Sequence, residues 1–351
     1  MSNPIFIARQ DTLEQEILPA HWLSQYKLFG EESYTFQDKE IWKKLCMSSA
    51  AANDRDMHAE ALEEMLTTFS AEHTGKWMLT VYGMDAAVLE GLASMAAVAG
   101  NGTAMAAVAA NALLMHAITN SETAMDAIGT SRIARDAVQA SPYYNSYIKE
   151  NDMAIAKLVV ALASLESAGY SGMAGVAADS TAMNAVAASS TAMTAVVASS
   201  TAMTAVAASS TAMNAVVASS TAMNAVVASS TAMTAVAASA TAMGKIAAVD
   251  AALSKLAAST TAMDALYARK KQMKDGGASK SGKFIILEIS QSNTFNTSKY
   301  GYATLSDGSK PDWSSYLAKY AFFQKYPKYA TYMLNDTDSD DYIYYFDIAS
   351  P

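Results

Sequence analysis

The sequence predicts a mainly α-helical protein: a helical N-terminal block, a solenoid of short decapeptide-repeat helices, and a small β-rich C-terminal domain. Three observations predict this fold class. A ten-residue repeat fills the middle of the chain, helix-capping residues recur at one position of the repeat, and the composition changes at both ends of the repeats. At 351 residues the chain has room for two or three domains.

The decapeptide repeat occurs in two arrays. In the later array each unit follows the pattern Ser-Thr-Ala-Met-x-Ala-Val-x-Ala after a capping residue, and Met recurs every ten residues from Met183 to Met243. In the earlier, degenerate array Val or Ile recurs every ten residues from Val88 to Ile148. Residues 152–168 lie between the two arrays, reset the phase and predict one longer amphipathic helix. Together, residues 86–270 are predicted to form a repeat shaft.

The residue three positions after each Val or Ile indicates how each repeat folds. Asn, Ser, Asp and Gly are the residues that helix N-termini prefer, because a short side-chain oxygen accepts a hydrogen bond from a free N–H group there. Each repeat is therefore predicted to form a capped helix of about eight residues. The predicted caps are Gly91, Asn101, Asn111, Ser121, Ser131, Ser141, Asn151, Asp179, Ser189, Ser199, Ser209, Ser219, Ser229 and Ser239.

Other structures for the repeat remain open at this point. Such a short helix is unstable in water alone, so each must bury its Met and Val against neighbouring repeats or other chains. A β-solenoid is an alternative, because ten residues can form two five-residue sides. A helical coiled coil fits less well, because the apolar face of a continuous helix would rotate by about 80° per repeat.

The two ends of the chain differ from the repeats. Residues 1–85 hold three of the four Trp residues and predict a helical attachment domain. Residues 271–282, which include "DGGASKSGK", have the composition of a flexible linker. Residues 283–351 predict a Tyr-rich, β-rich tip, bounded by the strands "KFIILEIS" and "DYIYYFDI".

Aromatic side chains are the candidate binding residues of this tip. Tyr combines a large, stiff contact area with a polar end, which recognition surfaces favour. Asp336, Asp338 and Asp340 stand at alternate positions, as in a calcium-binding loop, but the Gly and the closing Glu of such loops are missing, so a solvated acidic turn is the preferred interpretation. The candidate binding residues are Tyr300, Tyr302, Trp313, Tyr316, Tyr332, Tyr342 and Tyr344.

Composition argues against several classes of function. The formal net charge of −9 disfavours general nucleic-acid binding, which needs a clustered basic surface. Cys46 is the single cysteine, so neither a disulfide within the chain nor a cysteine metal cluster is expected. We expect no cofactor, no membrane insertion, and no secretory signal at the N-terminus.

The repeats also resemble a known group. The decapeptide "STAMNAVVAS", with degenerate units such as "ETAMDAIGTSRIARDAVQASPYYNSY", resembles repeat regions in tail-fibre-like virion proteins of tailed bacteriophages. The strand "GKFIILEIS" after a Gly-rich stretch is similar to the small β-domains that end such proteins. The resemblance covers about residues 85–290. It implies a structural component of a virion tail with an attachment end, a shaft and a distal tip, and it implies no catalytic residues.

These observations lead to one main functional expectation. The chain is expected to be made in the host cytoplasm and to reside in the virion tail, as a non-enzymatic protein. Its N-terminal block would bind other virion proteins, its tip would bind a host receptor or another virion protein, and it could form a homo-oligomer. The alternatives are a bacterial surface adhesin or spacer, and a tip that hydrolyses glycans with paired carboxylates such as Asp307 with Asp312 or Asp338 with Asp340.

Overall fold

A computed structural model describes residues 95–274, 278–290, 301–313, 316–335 and 342–351 of the chain. The described part is mainly helical and ends in a small antiparallel sheet, which confirms the predicted fold class. The repeats form short helices and not the alternative β-solenoid. The predicted attachment domain, residues 1–85, lies wholly outside the described residues, so it stays a prediction. The chain divides into two compact units. The described part of the first is residues 95–161 with 166–172, and that of the second is residues 162–165 with the described residues from 173 to 351.

The first unit contains the degenerate array. Its helices carry the predicted caps, as where Asn101 Oδ1 accepts a hydrogen bond from the N–H of Ala104 at 3.0 Å. The predicted helix over 152–168 ends at Leu162, because Ser164 adopts the left-handed φ of 61°, which terminates helices. Its elements are α1 (Met95–Gly100), α2 (Gly102–Ala109), α3 (Ala112–Asn120), α4 (Glu122–Thr130), α5 (Arg132–Ala140), a π-helical turn (Tyr144–Ile148) and α6 (Asp152–Leu162).

A buried lysine links α6 to α4 in this unit. The Lys157 side chain is fully buried, and its Nζ lies 2.7 Å from Asp126 Oδ1 and 3.3 Å from Glu122 Oε1. Asp126 also accepts a hydrogen bond from Ser167 Oγ at 3.1 Å. A buried ammonium group requires such partners, because an unpaired charge in the interior carries a large desolvation penalty.

The second unit begins with the regular array. Nearly all of its helices start after a side-chain cap; for example, Ser209 Oγ accepts a hydrogen bond from the N–H of Ala212 at 3.2 Å. At the helix Asp250–Ala258 the N-cap position holds Val249, which makes no such bond, and Asp250 lies in the first turn. The helices are α7 (Met173–Ala178), α8 (Ser180–Ala188), α9 (Ser190–Ala198), α10 (Ser200–Ala208), α11 (Ser210–Ala218), α12 (Ser220–Ala228), α13 (Ser230–Ala237), α14 (Ala240–Ala247), α15 (Asp250–Ala258) and α16 (Thr260–Ala268).

Three consecutive helices make one coil of this solenoid. Each helix packs against the third helix after it, as α8 does against α11 and α10 against α13. Consecutive helices meet at sharp bends, 101° between α8 and α9 and 99° between α10 and α11. The repeat therefore closes its core within a single chain, by stacking each coil on the previous one.

The capping serine also joins neighbouring coils. The hydroxyl of Ser209 donates to the carbonyl of Ala177 at 2.6 Å, and that of Ser239 donates to the carbonyl of Ala207 at 2.6 Å. Each bond spans 32 residues, one coil back along the chain. The first unit contains the same bond, from Ser141 to the carbonyl of Ala109 at 2.6 Å.

Four positions of each decapeptide form the solenoid core. In α10 they are Ala202, Met203, Val206 and Ala207, each at most 1% exposed. The regularly spaced Met residues therefore fill the core, where a flexible thioether packs well against small neighbours. The outward positions hold Ser, Thr, Asn and Ala, and residues 180–244 include no charged side chain.

The C-terminal sheet has six strands in the order β1-β6-β2-β5-β3-β4, and all of its pairs are antiparallel. Its core face packs around Phe284, Ile286, Met333 and Ile343. The elements are β1 (Lys271–Lys274), β2 (Ala278–Ser290), β3 (Gly301–Leu305), β4 (Asp312–Trp313), helix α17 (Ala321–Lys325), β5 (Ala330–Asn335) and β6 (Tyr342–Asp347).

The predicted linker over 271–282 is wrong for the residues that the structure describes there. Residues 271–274 form β1 and pair with β6, and β2 begins at Ala278 and pairs with β5. Strand pairing satisfies the backbone groups of this segment, and tertiary context outweighs its Gly- and Ser-rich composition. The β-rich domain therefore begins directly after α16.

Candidate binding surface

The alternation of side chains along each strand assigns the tip aromatics to the two faces of the sheet. Trp313 lies on the core face, is 4% exposed, and packs edge-to-face against Phe322 with ring centroids 5.5 Å apart. It also covers Gly301, where a Cβ atom would lie 2.1 Å from the indole Nε1. The expectation that Trp313 belongs to a binding surface is therefore wrong: it is a core residue, because its large ring fills the space that the glycine leaves.

Two tyrosine pairs occupy the second face of the sheet. Tyr302 on β3 and Tyr332 on β5 have ring centroids 5.8 Å apart. Tyr342 and Tyr344, two positions apart on β6, stack with centroids 6.2 Å apart and planes at 18°. All four rings are half-buried. Partial burial, with a smaller contribution from Tyr332, raises the pKa of the Tyr302 hydroxyl, so the phenol stays neutral and can donate a hydrogen bond at neutral pH.

The two pairs do not form one surface. Tyr332 lies opposite Ser281 and Tyr342 lies opposite Ser290, which are at different ends of β2. Tyr316 is 50% exposed and precedes the bridge between Leu317 and Ile289. Tyr300 lies outside the described residues. The structure thus separates the predicted binding residues into two pairs and a single exposed tyrosine.

Tyr344 belongs to the junction between the sheet and the last repeat helix. Its ring lies 6.5 Å from that of Tyr267 on α16, and the Nζ of Lys270 lies 4.0 Å from the Tyr267 ring centroid. The Tyr267 hydroxyl donates to Glu288 on β2. Burial and the hydrogen bond to Glu288 raise the pKa of Tyr267 to about 12. The Tyr267 hydroxyl therefore remains a neutral hydrogen-bond donor at neutral pH.

Asp264 forms a second group of contacts at this junction. Its carboxylate accepts hydrogen bonds from Lys319 Nζ at 3.0 Å and from the Tyr320 hydroxyl. These two bonds, that of Tyr320 first, lower the pKa of Asp264. Lys328 forms an ion pair with Asp250 on α15. The β-rich domain therefore docks on the last two helices and covers the end of the solenoid, as solenoids require. We call it the cap.

The docking residues were not predicted from the sequence, although a signal for them exists. At the positions of Asp264 and Tyr267, the units of residues 180–239 hold Asn or Thr and Ala or Val. In a repeat whose other copies contact only each other, a departure from the pattern marks a place where something else is contacted. The basic residues Arg269 and Lys271, which follow the last repeat helix, donate to the backbone carbonyls of Pro351 and Ser350.

The candidate acidic sites receive no support from geometry. Asp336, Asp338 and Asp340 lie outside the described residues, and so does any pairing of Asp338 with Asp340. Asp307 accepts hydrogen bonds from the hydroxyl (2.6 Å) and N–H (3.0 Å) of Ser309, which lower its pKa. A general acid requires the opposite shift. Within the described ranges, no three His, Cys, Asp or Glu side chains lie together in a way that could hold a metal ion.

Comparisons with known proteins give no family. No protein-family model matches the chain, and no curated protein matches it. Among the helices of the described part, none is by itself long and apolar enough to span a membrane; three pairs of consecutive helices reach that length and composition only across a sharp bend.

Proposed function

We propose that the chain is a structural component of a bacteriophage tail, a tail fibre or tail-associated protein, in which the solenoid separates an attachment end from a capped tip. The observation that carries this proposal is the row of hydrogen bonds that capping serines such as Ser209 and Ser239 donate to carbonyls of the preceding coil. We call this row the serine ladder. A segment that repeats one capped helix, fills its core mainly with Ala, Met and Val, and displays small neutral side chains over residues 180–244 is suited to spacing its two ends. The resemblance of its repeats to those of tail-fibre-like proteins supports the same function.

Within this proposal, recognition by the tip falls to Tyr302 and Tyr332. They form the tyrosine pair that faces away from the core and makes no described contact with the repeat helices. Tyr344 is engaged at the junction and Trp313 in the core, so neither is free for a partner. The partner is a host surface receptor or another virion protein.

The test of the proposal is localisation. Particles produced from the genome that encodes the chain are purified and probed by mass spectrometry and by immunogold electron microscopy with antibodies against residues 173–268. We expect the chain in the particles, with label on the tail. Label on uninfected cells, with none on particles, would instead support the bacterial surface spacer and overturn the proposal.

Tip recognition has a separate test on the full chain. A truncated tip is unsuitable, because β1 pairs with β6 and the cap docks on α15 and α16. We expect Tyr302→Ala with Tyr332→Ala to weaken adsorption of the chain to host cells, and Tyr144→Ala in the other unit to leave adsorption unchanged. Equal adsorption of all variants would show that this pair does not contact the receptor.

A further inference from the structure

The π-helical turn Tyr144–Ile148 interrupts the degenerate array with an unusual backbone. The N–H of Lys149 donates to the carbonyl of Tyr144, five residues earlier, at 3.0 Å. π-helical turns are rare and occur frequently at functional sites. The sequence departs from the repeat at the same place, because "SPYYNSYIKE" puts three tyrosines where most other units hold Thr or Ala.

The turn gathers aromatic rings beside α3. Tyr143 and Tyr147 have centroids 6.3 Å apart and planes tilted by 38°, and His116 on α3 lies edge-to-face against Tyr147 at 5.1 Å. All three rings are half-buried, so each retains an exposed part. Filling the interior would not require this arrangement, because Ile148 already occupies the buried position of the unit.

Hydrogen bonds hold this cluster in place. Asn151 Nδ2 donates to Asn120 Oδ1 at 3.1 Å, and Asn120 Nδ2 donates to the carbonyl of His116 at 3.1 Å. The end of α3, which carries His116, is thereby linked to Asn151, the N-cap residue of α6. The rings therefore sit on a fixed support, which reduces the ordering entropy that binding a ligand would otherwise require.

The chemistry around the rings is polar but nearly uncharged. Asn145 and Ser146 are exposed and lie between Tyr143 and Tyr147 in the sequence of the turn. The nearby charges Lys149 and Glu150 pair with each other at 3.9 Å. A nucleic acid would require a basic surface, which is missing from this turn. A ligand with apolar ring faces and many hydroxyl groups matches exposed aromatic rings flanked by amide and hydroxyl groups.

We propose that Tyr143, Tyr147 and His116 form a binding site for a neutral oligosaccharide on the side of the repeat array, with Asn145 and Ser146 as hydrogen-bonding partners. The aromatic rings stack against sugar rings, and the amide and hydroxyl groups bind sugar hydroxyls. The site is distinct from the tip and does not rest on the proposed tail function, since a surface spacer would present it equally.

The test uses the full chain and three probes: maltohexaose, chitotetraose and mannohexaose. Saturation-transfer NMR and calorimetry measure binding. We expect at least one probe to bind, Tyr143→Ala and Tyr147→Ala to weaken it about tenfold or more, and Tyr147→Phe to retain affinity within about threefold, because the ring stays in place.

A matched control separates this site from the tip. Tyr316→Ala removes the exposed tyrosine of the cap and should leave binding unchanged, and circular dichroism verifies that every variant keeps its helices. The proposal is overturned if no probe binds the folded chain, or if Tyr316→Ala removes binding while Tyr143→Ala and Tyr147→Ala retain it.

Discussion

At the scale of single residues, one serine hydroxyl carries two structural tasks. It accepts a hydrogen bond from the start of its own helix and donates another to a carbonyl of the preceding coil. Among small side chains, only the hydroxyl group of Ser or Thr offers a donor and acceptors on one atom at that reach. The regular array therefore has Ser at nearly every helix N-cap position, although Asp179 is the N-cap residue at its start.

The first prediction concerns Ser209. Ser209→Ala removes both bonds, leaves the carbonyl of Ala177 without its hydroxyl donor, and should lower the free energy of unfolding by about 1–2 kcal/mol. Urea unfolding monitored by circular dichroism at 222 nm measures this change. The control is Ser210→Ala, at the exposed next position, for which a change of at most about 0.5 kcal/mol is expected. Equal losses in both variants would show that the ladder does not stabilise the coils.

The second prediction concerns the buried ion pair. Among the described residues, Asp126→Ala leaves the buried ammonium of Lys157 with Glu122 as its acidic partner and the carbonyl of Ser167 at 3.4 Å, and should lower the free energy of unfolding by about 3 kcal/mol. Adding Lys157→Met removes the stranded charge, so the double variant should be more stable than Asp126→Ala alone. Thermal unfolding of the four proteins in the cycle measures the coupling. A double variant less stable than the single one would contradict this account.

At the scale of elements, close contact between strands explains why certain glycines occur. Gly301 on β3 lies under the Trp313 ring of β4, and a methyl group there would overlap the indole. At Gly244 in α14, by contrast, the place that a Cβ atom would occupy is open space. Identical substitutions at these two glycines therefore act in opposite directions.

The third prediction follows from that contrast. Gly301→Ala should destabilise the cap by about 1–3 kcal/mol, because Trp313 must move out of its packed position. Gly244→Ala should stabilise the solenoid by about 0.5–1 kcal/mol, because alanine favours the helix interior. Near-UV circular dichroism reports the first change and thermal unfolding at 222 nm the second. An unchanged aromatic signal in Gly301→Ala would contradict the packing described.

The fourth prediction concerns docking of the cap on α16. The pKa of Asp264 is lowered, so its stabilising contribution is present above its ordinary pKa of about 4 and is lost as the pH falls through the lower folded value. The pKa of Tyr267 is raised to about 12, so its contribution is present below about pH 10 and is lost as the pH rises towards 12. The junction should be most stable between these limits.

Thermal unfolding of the cap, followed by near-UV circular dichroism from pH 2 to 11, tests this dependence. Asp264→Asn should flatten the acid limb, because the amide does not titrate. Asp312→Asn is the control for general acid effects, since it changes an exposed carboxylate on β4 that the junction contacts described above do not include. An acid limb that persists unchanged in Asp264→Asn would place its origin in another carboxylate.

The local signals of the repeat made its helices predictable, whereas the cap depended on pairing between distant residues. Ser199 or Asn151 marks a helix start by its own side chain, and the ten-residue period repeats that signal many times. No short stretch announces that Lys271 pairs with Tyr345, 74 positions later, so the segment before β2 resembled a linker. The burial of Trp313 depends in the same way on Gly301 of a neighbouring strand.

At the scale of the whole molecule, each coil of the regular array is equivalent to the next. The bonds from Ser209, Ser219, Ser229, Ser239 and Ser259 each reach 32 residues back, and three decapeptides separate equivalent faces. Removing three decapeptides therefore restores every ladder bond with an equivalent partner, and the cap still meets its own docking residues on α15 and α16.

The fifth prediction is that a variant lacking residues 200–229 folds and is shorter by one coil. Stacked helices lie about 8–10 Å apart, so the longest dimension of the regular array should fall by that amount. Small-angle scattering measures the length, and circular dichroism the helix content per residue. Removing residues 200–214 is the control: it joins helix halves out of phase and should lower the unfolding temperature. Equal stability of the two deletions would contradict the three-helix coil.

The neutral stretch of the array has a consequence for the conditions under which a spacer works. From residue 180 to residue 244 no side chain gains or loses a proton in water, and none attracts counterions. Acidification, dilution or added salt acts on the charged groups of the cap, but has no charge to act on in this stretch. The distance that this stretch sets is therefore the same in a cell, in fresh water and in brine.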